Sequence, residues 1–122
     1  MKRHSFSDGE WKLMNVLWEK GPMGLPDLTE ELNPETGWSK ATVNMMGNRL
    51  EESGALRTDF EGRRKLLTPV VTREEALEQE AHNTVARVRA DGVCLLVSNM
   101  VEGGMLSDEE IAELTAILRQ RS

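Results

Sequence analysis

Between Gly37 and Leu56 the side chains alternate in a way that only a helix with one buried and one free face satisfies. Ser39 stands as N-cap with Trp38 before it as a hydrophobic staple, Val43, Met46 and Leu50 fall at i, i+3 and i+7, and Gly54 is placed to end the helix in a left-handed conformation. The opposite face carries Lys40, Thr42, Asn44, Asn48 and Arg49, with Met45 among them and no carboxylate before Glu51. Short hydrogen-bonding side chains interspersed with cations are what phosphates and base edges require.

Taken alone, such a helix is also what an ordinary surface helix looks like. The residues directly after it narrow the choice. Two extended runs, Ala55 to Phe60 and Arg63 to Thr68, are joined by Glu61-Gly62, where glycine supplies the positive φ of a tight hairpin. Arg57, Arg63, Arg64 and Lys65 flank that turn. A basic hairpin after a basic helix gives two cationic elements that straddle a phosphate backbone. This is the winged-helix arrangement, and it points to double-stranded DNA as the partner. Lys40, Arg49, Arg63, Arg64 and Lys65 are expected mainly on phosphates, with Thr42, Asn44 and Met45 nearest base edges.

Composition bounds the rest. A chain of 122 residues makes one domain, or one small domain with an appendage. Its net charge of −6 argues against nucleic acid until the distribution is considered. From Ser7 to Thr36 two lysines oppose seven carboxylates, whereas from Gly37 to Lys65 six basic residues oppose four acidic ones. A local positive face on an acidic protein still binds DNA, with modest non-specific affinity and strong salt sensitivity.

Cys94, the single cysteine, lies in Val93-Cys94-Leu95-Leu96-Val97 and reads as a buried small hydrophobe. No disulfide framework or zinc-type spacing exists, since His4 and His82 are far apart, so neither metal nor cofactor is expected. No nucleophile elbow, P-loop or dinucleotide fingerprint occurs, which makes an enzyme unexpected. The N-terminus has no apolar signal region, so a cytoplasmic protein without a membrane partner is expected.

The predicted architecture is mainly α with a small β-hairpin wing. Ser7-Asp8-Gly9-Glu10 is a capping box opening a helix to about Lys20, with Trp11, Met14, Leu17 and Trp18 on its apolar stripe. Leu25 to Leu32 makes a short second helix with Pro26 in its first turn, ending at Asn33-Pro34. Residues 1–71 thus form an N-terminal winged helix-turn-helix domain, and residues 72–122 a C-terminal helical dimerisation region. Thr72-Arg73-Glu74-Glu75 opens a helix running to about Asp91, and Gly92 interrupts it. Val93 to Val101 is nearly all apolar, Gly103-Gly104 is a hinge, and Ser107-Asp108-Glu109-Glu110 opens a last helix. Leu77, Val85, Val88, Leu95, Leu96, Ile111, Leu114 and Leu118 exceed what three short helices cover among themselves, so a second copy of the chain is the expected partner.

The whole pattern resembles the penicillinase repressor (BlaI/MecI/CopY) family of dimeric winged-helix transcriptional repressors. The resemblance is carried by Glu10 to Trp18, by Thr42-Val43 with Asn48-Arg49-Leu50, by Thr68-Pro69-Val70-Val71, by Thr72 to Leu77, and by Leu106 to Leu114. It implies a homodimer on an inverted-repeat operator with TACA and TGTA cores. It also implies release through a sensor-linked protease that cuts the dimerisation region at an Asn-Phe bond, which falls here at Asn99-Met100. Where the family reads like Lys-Thr-Leu-Leu-Asn, this chain has Asn44-Met45-Met46-Gly47-Asn48. Gly47 costs about 1 kcal/mol relative to Ala in mid-helix, so either a looser helix or a closer packing there is expected. The cysteine-rich tail of the copper-responsive branch is not matched, and copper sensing is not expected. Two other readings stay open: a winged-helix protein-interaction module that binds no DNA, and a ligand-binding regulator or enzyme with a pocket near Cys94 and His82.

Overall fold

A computed structural model describes residues 5–121. The elements run α1 (Asp8–Lys20), β1 (Met23–Gly24), α2 (Leu25–Thr36), α3 (Lys40–Glu52), β2 (Leu56–Glu61), β3 (Arg64–Pro69), α4 (Arg73–Val88), α5 (Ala90–Glu102) and α6 (Asp108–Arg121). They divide into two compact units, Met1–Ala81 and His82–Ser122, the division falling inside α4.

Local chemistry fixes the helix starts. The Ser7 hydroxyl accepts from the Glu10 N–H while the Glu10 carboxylate accepts from the Ser7 N–H, and the same reciprocal bonds join Thr72 with Glu75 and Ser107 with Glu110. Each box satisfies donors that a helix N-terminus otherwise leaves open. Some boundaries differ from those expected. α2 continues past Pro34 to Thr36 and ends on Gly37 at φ 67°. Pro34 is tolerated because it sits in the last turn, where little helix remains to be broken. The hairpin turn is Gly62-Arg63 rather than Glu61-Gly62, because Glu61 pairs with Arg64, and the positive φ falls on Gly62.

The sheet has a third strand that local patterning does not announce. β1 pairs antiparallel with β3, Met23 opposite Leu67 and Gly24 opposite Leu66, giving the order β1-β3-β2. Two residues carry no periodicity, so only the tertiary pairing reveals the strand.

The core of the first unit joins Leu13, Met14 and Leu17 of α1 to Leu28 and Leu32 of α2, Val43 and Leu50 of α3, and Leu56 and Leu67 of the hairpin. Each fully buried leucine contributes about 1.5–3 kcal/mol, which sets α3 firmly against the sheet. Trp11 and Trp18 are half-buried and pack against this cluster. The Trp18 indole N–H donates to the Val71 carbonyl at 2.9 Å, pinning the exit of the hairpin to α1. Gly47 shows why mid-helix glycine is kept: a Cβ there would lie 2.9 Å from Leu67 Cδ2, so its absence lets α3 approach β3.

In the second unit the helix break falls at Arg89, with φ 70°, three residues before the glycine expected to interrupt. Gly92 instead lies in the first turn of α5, its N–H donating to the Arg89 carbonyl. The reversal needs one residue at positive φ, and Arg89 takes it with ψ 150°, at a cost of about 1–3 kcal/mol. Gly104, at φ 72°, closes the turn before α6. Cys94 is exposed rather than buried. It lines an open groove of about 660 Å³ with Val93, Val97 and Val101 of α5 and Leu118 of α6. Burial fails there because the second unit has no core of its own: among the described residues, no buried apolar side chain lies beyond Ala76.

Candidate nucleic-acid interface

α3 begins where Ser39 caps it, the Ser39 hydroxyl accepting from the Thr42 N–H at 3.2 Å and donating to Thr42 Oγ1. Val43, Gly47 and Leu50 are buried, which turns Lys40, Ala41, Met45, Asn48 and Arg49 outward. Ala41, Met45 and Asn48 follow at i, i+4 and i+7 and form the central exposed stripe, with Met45 49% accessible. Thr42 and Asn44 are half-buried at its margins, and the Thr42 hydroxyl is engaged by the cap.

The wing supplies cations of three kinds. Arg63 sits at the turn and, like Lys40 and Arg49, forms no ion pair among the described residues. Arg64 is shared with α2: its guanidinium donates to Asp27 Oδ2 at 3.2 Å and lies across Gly24, where a Cβ would come within 2.7 Å of Arg64 Nε. Lys65 crosses to α3, its ammonium donating to Asn44 Oδ1 at 2.5 Å and to Asn48 Oδ1 at 3.0 Å. The Glu51 carboxylate accepts from the Thr58 N–H at 3.0 Å, so the first acid of α3 is spent on the wing backbone.

The structure therefore brings Asn44, Asn48 and Lys65 together and ties Arg64 to a carboxylate, while Lys40, Arg49 and Arg63 have no ion-pair partner among the described residues. Sequence reasoning passed over Ala41, whose methyl carries no polar group, although its spacing with Met45 would have found it. It also passed over Phe60, 67% exposed and paired across the hairpin with Lys65.

The chain matches the sequence model of the penicillinase repressor family over residues 6–120. It belongs to the penicillinase repressor family. It is 32% identical to the penicillinase repressor of Bacillus licheniformis over 114 residues, covering 93% of this chain and 89% of that one. It is 28% identical to the methicillin resistance regulatory protein MecI of Staphylococcus aureus over 120 residues, covering 98% of both chains. The solution structure of the monomeric form of Bacillus licheniformis BlaI in complex with the blaP half-operator superposes with a TM-score of 0.53 at 31% identity. That likeness covers 61% of this chain and 90% of BlaI's.

In this member of the penicillinase repressor family, Leu77, Val85, Leu95, Leu114 and Leu118 are exposed, and Val88, Leu96 and Ile111 are half-buried. Asn99 and Met100 are exposed near the end of α5, where the Asn99 carbonyl accepts from the Gly103 N–H. His4 lies outside the described residues. Among the described residues no three His, Cys, Asp or Glu side chains converge on a metal-sized site, and no helix is long and apolar enough to cross a membrane.

Proposed function

We propose that this repressor binds an inverted-repeat DNA operator as a homodimer, α3 of each protomer entering the major groove and the wing resting on phosphates. The observation that carries the reading is the exposed face of α3. Lys40, Ala41, Met45, Asn48 and Arg49 stand outward with no carboxylate among them, and Arg63 is presented by the adjoining wing. Cations hold the backbone, while Met45 and Ala41 offer apolar contact to thymine methyl groups. The half-operator bound by monomeric BlaI supports a reading in which one winged-helix unit addresses one half-site.

Residues 72–122 are the proposed dimerisation region, supported by nine exposed large apolar side chains beyond Ala81 among the described residues. Cutting at Asn99-Met100 would detach α6 from the rest of that region, which gives release by a protease a physical route. Footprinting tests the whole reading. Two protected half-sites about 10 bp apart, related by a two-fold axis and covered by two chains, are expected. A single asymmetric site held at full affinity by one chain contradicts it, and no shift of any DNA would leave a protein-interaction module.

A further inference from the structure

Lys65 is not placed as a lysine that reaches for a phosphate. It leaves β3 on the face of the hairpin that also carries Leu67, the residue against which Gly47 of α3 packs. From there its ammonium is held by Asn44 and Asn48, residues 21 and 17 positions earlier in the chain. These two asparagines are one helical turn apart, so both amides reach the same wing lysine, Asn48 from within the exposed stripe and Asn44 from its margin. Two of the three ammonium protons are committed to them.

An ammonium can only donate, and this fixes both amides: each turns its oxygen to Lys65 and its NH2 away. A free asparagine reads adenine by donating to N7 while accepting from the N6 amino group. Here the accepting oxygen already holds a cation about 3 Å away, and an approaching amino group meets positive charge. Guanine presents two acceptors, N7 and O6, and no donor on that part of its edge.

We propose that Lys65 is a positioning residue for base recognition: by occupying the side-chain oxygens of Asn44 and Asn48 it makes both amides pure donors, so that α3 selects guanine over adenine where they meet the groove. The inference rests on the reading that α3 enters the major groove. Lys65 thereby acts through the asparagines rather than on the phosphate backbone.

The test is enrichment of a random duplex library by full-length wild type, Lys65→Met, Lys65→Arg and Asn44→Asp, followed by salt titrations on the recovered sites. Lys65→Met should shift the preference at the affected base pair from guanine toward adenine by about tenfold in relative affinity, with little change in salt slope. Lys65→Arg, which keeps the donors, should retain guanine. Asn44→Asp keeps the bond to Lys65 but has no N–H to offer, and should lose the guanine preference at the base pair Asn44 meets, even if Lys65→Met fails to fold. A uniform loss by Lys65→Met on all sequences, with the slope falling by about 0.9, would make Lys65 an ordinary phosphate contact and overturn the assignment. Guanine retained by Asn44→Asp at every position where wild type prefers it would do the same. Wild type enriching no sequence at all would refute the DNA reading itself, whereas wild-type enrichment with unchanged variant preferences refutes only the role of Lys65.

Discussion

Asp27 and a DNA phosphate would compete for the same guanidinium. Arg64 and Asp27 are both more than half exposed, at 52% and 60%, so their pair contributes well under 1 kcal/mol to stability. Its effect falls on binding instead. Asp27→Asn should tighten binding to all duplexes a few-fold, leave the base preference alone, and keep stability within about 1 kcal/mol of wild type, as fluorescence titration and urea unfolding would read. Unchanged affinity would mean that Arg64 contacts no phosphate even when freed from Asp27. Arg63→Ala, by contrast, removes a cation that forms no ion pair among the described residues. It should weaken random and preferred DNA equally and lower the salt slope by about one, measured from binding isotherms at several salt concentrations.

At the scale of elements, the contact of α3 with β3 is set by a missing carbon. In Gly47→Ala the new Cβ meets a Leu67 side chain that is itself fully buried. Helix propensity returns about 1 kcal/mol and overpacking removes about 1–3, so a net loss of up to about 2 kcal/mol is expected in denaturant unfolding. Binding should fall further than stability, because α3 is pushed from the strand that carries Lys65. The N-terminus of α6 offers a second check. The bond from the Ser107 N–H holds the Glu110 carboxyl below its ordinary 4.5, so the cap is intact above that range and is lost as pH falls through the lowered value. Circular dichroism should show helix lost on acidification below the ordinary 4.5 of a glutamate, and Glu110→Gln, which also completes a capping box, should remove that part of the acid dependence.

These elements also show what a sequence discloses. Ser7, Ser39, Thr72 and Ser107 each announce a helix start because capping is local chemistry, and all four caps occur. β1 was silent because Met23-Gly24 becomes a strand only against Leu66 and Leu67. The break at Arg89 was misplaced because glycine was the natural candidate for a positive φ and Gly92 stood close by. The cations of the interface were legible one by one, but not their partners: Lys65 meets Asn44, and Arg64 meets Asp27, only after the hairpin has folded onto α3 and α2.

For the whole molecule, the division inside α4 says where to cut. A fragment ending at Val71 would lose Ala76, which is 2% exposed, whereas one ending at Ala81 keeps it. Residues 1–81 should fold as a monomer and bind a half-site, while the full chain should be a dimer at micromolar concentration. Light scattering checks both, and a monomeric full-length protein would end the dimer proposal. The half-site alone should bind much more weakly than the paired site, since the second contact is no longer supplied at high effective concentration.

Among its described residues the second unit buries no apolar side chain on its own, and this ties control to abundance. If two chains must meet before either is fully covered, the amount of operator-competent protein at low expression rises with the square of the chain's own concentration. A modest drop in synthesis, or loss of α6 from a fraction of the molecules, would then open the operator out of proportion to the protein removed. The exposed valines and leucines of α5 and α6 would in that case set the steepness of the response, although the proposed groove contacts all lie in α3 and the wing.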